Sequence, residues 1–252
     1  INGIYSPGTH ISFETNTEIQ WSNHLMCVWF HRFRSKYIVG VALCNNYTGQ
    51  SYLMEHTIAE TTLQSTSFDE LDKYISIYQP NEIIFVCDES TRLIVREHIH
   101  HHTRNKVPLY FHDTEEDIAQ HATEQIYRQQ ILSQYFGKES SHQCAEFSLY
   151  ELATQSFCIL MHFMEEHNPN LCKHIRLPIW ENNTCSMMLA NHTLQQLNIL
   201  EDIQTSSVSI TDSLHSVHSW TNKCVTIMGK RLFREVLSHP IHNEGVLENE
   251  YW

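Results

Sequence analysis

Residues 37–44 read Y-I-V-G-V-A-L-C. An uncharged run of this length, rich in β-branched residues and followed by turn signals, predicts a buried strand. Upstream, Leu25 to Phe30 is apolar and rich in β formers; downstream, Asn45-Asn46 and Thr48-Gly49 form a polar turn into Gln50 to Glu55. Together these runs predict a β-meander of three strands. Further along, Ser67 is placed to cap a helix with Asp69 and Glu70 in its first turn, where the dipole favours acids. Leu71, Tyr74, Ile75 and Tyr78 make the apolar face of that helix, and Pro80 ends it. Glu82 to Val86 (E-I-I-F-V) predicts a short buried strand, Thr91 to His101 another helix and Val107 to Phe111 another strand. The order β-β-β-α-β-α-β is a mixed sheet with helices packed on it. It defines a domain over residues 21–112, after a linker over 1–20 with a turn at Ser6-Pro7-Gly8.

From Asp113 the pattern changes to helical spacing. Ile118, Ala122, Gln125, Leu132 and Phe136 trace one long helix, with Gly137 as its C-cap. After a polar linker at Glu139–Gln143, Ala145 to His167 predicts a second long helix, stopped by Asn168-Pro169. Ile175 to Trp180 is extended and holds Pro178. Met187 to Leu189 leads to a helix carrying Leu194, Leu197 and Leu200, with Asn191 as its cap, and Thr205-Ser206-Ser207 is a polar loop. The fold class is therefore α+β: a mixed-sheet domain, then a mainly helical one over residues 113–252.

Near the end, residues 222–241 read N-K-C-V-T-I-M-G-K-R-L-F-R-E-V-L-S-H-P-I. Thr226 is a good N-cap. Gly229 in the first turn is a poor helix former and predicts close approach by a neighbour. Leu232, Phe233, Val236 and Leu237 recur on one apolar face. Lys230 and Arg234 share another, which reads as a solvated basic edge, Arg231 is spaced to pair with Glu235, and Pro240 ends the helix.

Composition limits the function. The net charge of −13 argues against a chain that binds DNA by overall electrostatics, although one face can still touch nucleic acid. Seven glycines and six prolines are few for a sandwich built on tight turns. Eight cysteines, none in C-x-x-C spacing and most inside apolar runs, read as reduced core residues of a reducing, intracellular compartment. No run of 18 apolar residues predicts a membrane span. The chain begins Ile1-Asn2-Gly3 and ends Glu250-Tyr251-Trp252, which predicts a segment of a longer protein.

Few residues group for chemistry. His98, His100, His101 and His102 cluster in sequence, but adjacent helix positions diverge, and only His98 with His101 or His102 has ligand spacing. A solvated helix end is the simpler reading. A meander followed by β/α units is the outline of an RNase H-like fold, whose nucleases gather carboxylates for metal ions. Here the central strand carries none, Asn45 and Asn46 follow it, and Asp88-Glu89 stand alone after a later strand. No G-x-x-x-x-G-K-[ST], G-x-G-x-x-G or G-x-S-x-G motif occurs. No catalytic, cofactor or metal residues are assigned.

The 222–241 stretch resembles the core-domain signature of the MutS mismatch-repair family. The matching positions are Asn222, Lys223, Thr226, Met228, Gly229, Arg231, Leu232 and Pro240. Met187-Met188-Leu189 with Thr193 and Leu197 is similar to the family's strand-to-helix entry, although Ala190, Gln195 and Gln196 replace its usual Asp, Arg and Asn. Val39-Gly40-Val41-Ala42 with Thr48-Gly49 resembles the family's connector domain, an RNase H-like fold without nuclease activity. Ser6-Pro7-Gly8-Thr9 is similar to the linker leaving its mismatch-binding domain. The resemblance implies a connector over 21–112 and the start of a truncated core/lever domain over 113–252. Divergence and histidine content are similar to an organellar branch encoded in octocoral mitochondrial genomes, which implies a mitochondrial location.

For the full-length parent the resemblance implies a homodimeric ATPase using ATP and magnesium on mismatched duplex DNA. The segment itself is expected to be no enzyme, to hold no cofactor and to couple mismatch recognition to an ATPase lying outside it. Two other readings stay open: an RNase H-like metal-dependent nuclease using Asp88 and Glu89, and a non-catalytic interaction or metal-buffering module using the histidine run.

Overall fold

A computed structural model of the chain describes residues 23–59, 63–102, 107–137, 145–181, 196–199, 216–238, 240–241 and 243–251. They group into two compact units, one holding 23–70 and 80–181, the other 71–79 and the residues after 181. Met187 to Leu189, Asn191 and the Ser6-Pro7-Gly8 turn lie outside the described residues.

The first unit is built on a six-stranded mixed sheet. Strands β1 (His24–Phe33), β2 (Lys36–Asn45) and β3 (Ser51–Ile58) form the expected antiparallel meander. Its first hairpin outlasts the apolar runs, because pairing continues through exposed residues to Phe33 opposite Lys36. A 3-10 turn (Ser65–Phe68) leads into α1 (Asp69–Tyr78), which from Leu71 onward groups with the second unit. The Ser67 hydroxyl accepts from the Gln64 N–H at 3.0 Å, so it closes the 3-10 turn instead of capping α1. Strand β4 (Glu82–Val86) lies parallel to β1; α2 (Glu89–His102) then leads to β5 (Leu109–His112), parallel to β4.

Sequence periodicity predicts two long helices after His112, and each is broken once. The first becomes α3 (Asp117–Thr123) and α4 (Gln125–Phe136), separated at Glu124 in extended conformation. Arg128 stabilises the break: it is buried, and its Nη1 donates to the carbonyls of Ala122 and Thr123 at 3.3 and 2.8 Å. Those carbonyls would otherwise be orphaned at the end of α3. Gly137, with φ of +80°, caps α4 as expected. The second long helix becomes α5 (Ala145–Leu149) and α6 (Glu151–His167), hinged at Tyr150. A short α7 (Pro169–Cys172) follows, and β6 (Ile179–Trp180) then pairs parallel to β3, giving the order β5-β4-β1-β2-β3-β6.

Both faces of the sheet are covered, which explains why the strands are nearly continuously apolar rather than alternating. One face carries Leu25, Cys27, Trp29, Ala42, Cys44, Leu53, Ile84 and Val86, packed with Phe157, Cys158, Leu160, Met161 and Met164 of α6. The opposite face carries Phe30 and Phe85; Phe68 meets Phe30 edge-on at 6.2 Å, and His98 of α2 stacks on Phe68 at 4.3 Å.

The seam between α6 and the sheet is set by Gly40. A Cβ at this position would lie 2.3 Å from the Leu152 carbonyl carbon and 2.4 Å from the Ala153 nitrogen. The start of α6 therefore rests directly on the backbone of β2. Trp29 and Glu55 are the two cross-strand neighbours of Gly40. Glu55 reaches across the gap, and its Oε2 accepts from the N–H groups of Leu152 and Ala153 at 3.0 and 3.1 Å. Tyr150, the residue at the cap position, makes no side-chain cap. A carboxylate on a strand thus does what a Ser or Asp before the helix would do. Ser156 completes the seam by sharing its hydroxyl proton between the carbonyls of Gly40 and Leu152, at 3.0 and 2.9 Å.

Gly40→Ala is expected to destabilise the first unit by more than ~3 kcal/mol, because two backbones must separate. Gly245→Ala, whose Cβ meets nothing nearer than 3.5 Å, is expected to be neutral or mildly stabilising; denaturant melts followed by tryptophan fluorescence compare the two. Glu55→Ala should cost about 1–2 kcal/mol through the lost cap. The pH dependence has a definite sign. Burial pushes the Glu55 carboxyl above its ordinary value, outweighing the Ala153 and Leu152 N–H bonds that pull it down, and Glu151 adds to the rise. The folded chain thus holds the proton more tightly, and the associated stability is present below the ordinary Glu range and lost as pH rises through the raised pKa. Glu55→Gln, which keeps an acceptor oxygen, is expected to remove that slope in melts taken from pH 4 to 7.

Candidate functional site

The matched stretch near the C-terminus lies in the second unit. It consists of α8 (Val217–Thr221), a tight loop, α9 (Ile227–Ser238) and, beyond Pro240, α10 (Glu244–Tyr251). Ser216 and Ser219 cap α8 reciprocally: each hydroxyl accepts the other residue's N–H, at 3.0 and 3.1 Å. Asn222 ends α8 and shapes the loop. Its N–H donates to the His218 carbonyl, its Oδ1 accepts from the Cys224 N–H at 3.0 Å, and its Nδ2 lies 3.1 Å from His218 Nε2. His218 is buried, with its ring 5.8 Å from that of Phe233.

Thr226 caps α9 as its sequence position predicts: its Oγ1 accepts from the Gly229 N–H at 3.1 Å, and its carbonyl accepts from Lys230. The need for glycine at 229 is local. A Cβ there would stand 3.1 Å from the capping hydroxyl and 3.4 Å from the Cys224 Cβ, so the close neighbours are side chains of the loop itself. Two expectations for this helix are corrected. Arg234 is buried instead of lying on a solvated edge; its Nη2 donates to Gln79 Oε1 at 3.0 Å, and its carbonyl accepts from Ser238 Oγ. Met228, Leu232 and Val236 are exposed, with Met228 81% accessible, so the apolar face read from the spacing is only partly covered. Lys223 is exposed, while Arg231 and Pro240 are half-buried.

The stretch is therefore a capped junction. Among its described residues no nucleophile is hydrogen-bonded to a base. Asp88, Glu89 and His98 are likewise structural. Asp88 caps α2: its Oδ1 accepts from the Thr91 N–H and its Oδ2 from the Ser90 hydroxyl. Partial burial pushes its carboxyl up, but hydrogen bonds from Thr91 and Ser90 outweigh that and hold it below the ordinary Asp value. Glu89 is ion-paired with Arg92 at 3.5 Å. His98 is not part of a solvated helix end; it is buried on Phe68. Among the described residues no three His, Cys, Asp or Glu side chains are placed to hold a metal ion. Cys27, Cys44, Cys87, Cys158 and Cys172 are unpaired and buried, and burial above all pushes the Cys44, Cys87 and Cys158 thiols up to about 12, which makes them poor nucleophiles. A polar hollow of about 470 Å³ beside α4 and α6 includes Arg128 and Glu151, but the two bind each other at 2.6 Å.

Sequence reasoning passed over two groups. Glu55 and Arg128 act across 97 and 23 residues of chain, and no local pattern announces them. The exposed run His31 to Lys36 was visible as H-R-F-R-S-K, a dense basic cluster in an acidic chain.

No family model matches the chain. Its sequence is similar to that of a DNA mismatch repair protein mutS homolog of Acanthamoeba polyphaga mimivirus, at 23% identity across 98% of the chain and 24% of the relative. It is also similar to the DNA mismatch repair protein MutS of Borrelia garinii subsp. bavariensis and of Borreliella afzelii, each at 24% identity over 83% of the chain and 22% of the relative. The chain thus spans about a quarter of the length of the curated relatives it matches. Among the described residues no helix is long and apolar enough to cross a membrane.

Thr226→Ala is expected to cost about 1 kcal/mol of stability in the second unit. Gly229→Leu should cost more, since it displaces the same hydroxyl and crowds Cys224. Thermal melts of both variants check the order.

Proposed function

We propose that this chain is a connector-and-core segment of a MutS-like DNA mismatch repair protein, and that its work is mechanical coupling. The observation that carries the reading is the similarity to a mutS homolog along 98% of the chain. The sheet supports it. Five of its six strands, an antiparallel meander extended by two parallel strands in the order β5-β4-β1-β2-β3, follow the arrangement expected of an RNase H-like domain, and β6 is added beside β3. In this reading residues 21–112 are the connector and residues 113–252 the start of the core; of the latter, residues up to 181 group with the sheet in one unit, so the first helices assigned to the core, and β6, are built onto the connector's scaffold.

The full-length parent binds mismatched duplex as a homodimer and uses ATP with magnesium; the segment supplies neither the mismatch reader nor the ATPase. What it supplies is stiffness. Coupling between distant sites needs packed elements with few alternative arrangements. The Gly40 seam, the Glu55 cap and the Arg128–Glu151 bridge are the connections that give the first unit that property.

The chain alone is expected to hydrolyse no ATP and to bind matched and mismatched duplexes equally. Phosphate release and fluorescence anisotropy measure both, and a mismatch preference of ten-fold or more at physiological salt would refute the reading. The nuclease alternative is checked in parallel: Mg²⁺- or Mn²⁺-dependent cleavage lost in Asp88→Ala would establish it instead.

A further inference from the structure

The β1–β2 hairpin ends in a feature that the coupling role does not use. His31, Arg32, Phe33, Arg34, Ser35 and Lys36 are all exposed. Three of the chain's 16 lysines and arginines fall within these six residues, with no acid among them. Taking those three charges from the total leaves −13 − 3 = −16 on the rest of the chain, so the tip is a positive point on a strongly negative molecule. Among the described residues none of its cations is ion-paired. Instead the Arg34 guanidinium lies 5.3 Å from the centroid of the Phe33 ring and that of Arg32 lies 6.0 Å from the Tyr37 centroid. Phe33 itself is 52% accessible, which is unusual for a large aromatic in a chain able to bury both faces of its sheet.

The backbone adds a second observation. Arg34 has φ of +57°, a conformation that glycine or asparagine adopts readily and arginine only at a cost. A two-residue hairpin turn normally carries Asn or Gly at such a position. The turn thus places a cation where glycine or asparagine would cost less.

We propose that the His31–Lys36 tip is a contact point for the phosphate backbone of duplex DNA. Stacking on aromatic faces fixes the two guanidiniums while leaving their N–H groups free for phosphate oxygens. A two-stranded β-ribbon is narrow enough to enter the major groove, and Phe33 at its end offers an apolar plane to sugars and base edges. Phosphates supply the charge density that three clustered cations and an acidic remainder select for, since contact is confined to the tip. The contact is carried by the hairpin alone; the choice of DNA as the polyanion rests on the MutS-like reading.

The test uses the full 252-residue chain and fluorescein-labelled duplexes, matched and mismatched, in anisotropy titrations from 50 to 200 mM salt. Three phosphate contacts give a slope of about −2.7 in log K against log salt, a weakening of roughly forty-fold across that range. The triple variant Arg32→Gln, Arg34→Asn, Lys36→Gln should bind at least ten-fold more weakly at 50 mM salt and lose most of the slope. The control Arg96→Gln, Lys173→Gln, Arg176→Gln makes the same change in net charge at exposed positions elsewhere and should bind like the parent chain. Arg34→Asn alone should weaken binding while raising the melting temperature, because asparagine relieves the backbone; a purely structural arginine would not separate the two. Equal binding by the tip variant and the control overturns the proposal, as does absence of binding at 50 mM salt, or capture of polyglutamate as tight as that of duplex. Mismatch preference in the parent chain would overturn the segment reading, while a loss confined to the tip variant would still support the contact.

Discussion

The first unit depends on one close approach. Helix α6 can bury a nearly complete apolar circumference only if its start lies flat on β2, and that is possible only where β2 has no side chain. Gly40 provides the space, and everything nearby is fitted to it. Trp29 stands opposite on one side and Glu55 on the other, and Glu55 uses the gap to reach the helix N-terminus. The interaction joins three levels at once. A glycine in a strand weakens the strand; here the loss is offset by a helix packed closer than a Cβ would allow, and by a charged cap that would be costly to bury without the two N–H donors it finds.

A second arrangement extends from the same place. Glu151, the first residue of α6, binds Arg128, and Arg128 also closes the end of α3 through the Ala122 and Thr123 carbonyls. One guanidinium therefore ties the end of one helix, the body of a second and the start of a third. The breaks at Glu124 and Tyr150, which periodicity alone would smooth into long helices, are where these ties are made. The polar groups released by each break are bound by a specific partner, as Thr154 shows by donating to the Phe147 and Tyr150 carbonyls.

The strands were readable from the sequence because burial on both faces leaves a strong signal: uncharged runs of β formers bounded by turn residues. So was the Thr226 cap, since capping is decided within four residues. The helix breaks were not readable. The groups that bind the freed backbone there are Arg128 and Glu55, acting through bonds that helical spacing does not register. Gly229 and Gly40 show the same limit from both sides. Both are glycines inside regular elements, and each suggests a close neighbour. Only the fold reveals that one meets a capping hydroxyl a few residues away and the other a helix more than a hundred residues along. The candidate site was legible as a family signature but not as a surface: spacing assigns Arg234 to solvent and Leu232 to the core, and the structure reverses both. Helical periodicity finds a face; it does not say which neighbour covers it.

Strand β3 is completed late. Its edge accepts β6, and the segment leading there is held by bonds from Ser51 to the Arg176 carbonyl and from the Glu181 N–H to the Leu53 carbonyl. Gly49, at φ of +70°, leaves no room for a side chain beneath the His174 carbonyl and so marks where that segment crosses the turn. On a ribosome the meander emerges more than a hundred residues before its last strand. Until then the nascent sheet exposes an unpaired edge and an uncovered apolar face, the state in which β-rich intermediates associate wrongly. Pairings this distant in sequence also slow folding. The order in which the chain is made is therefore as much a constraint on this fold as its contacts, and the first unit is complete only after residue 181 has been made.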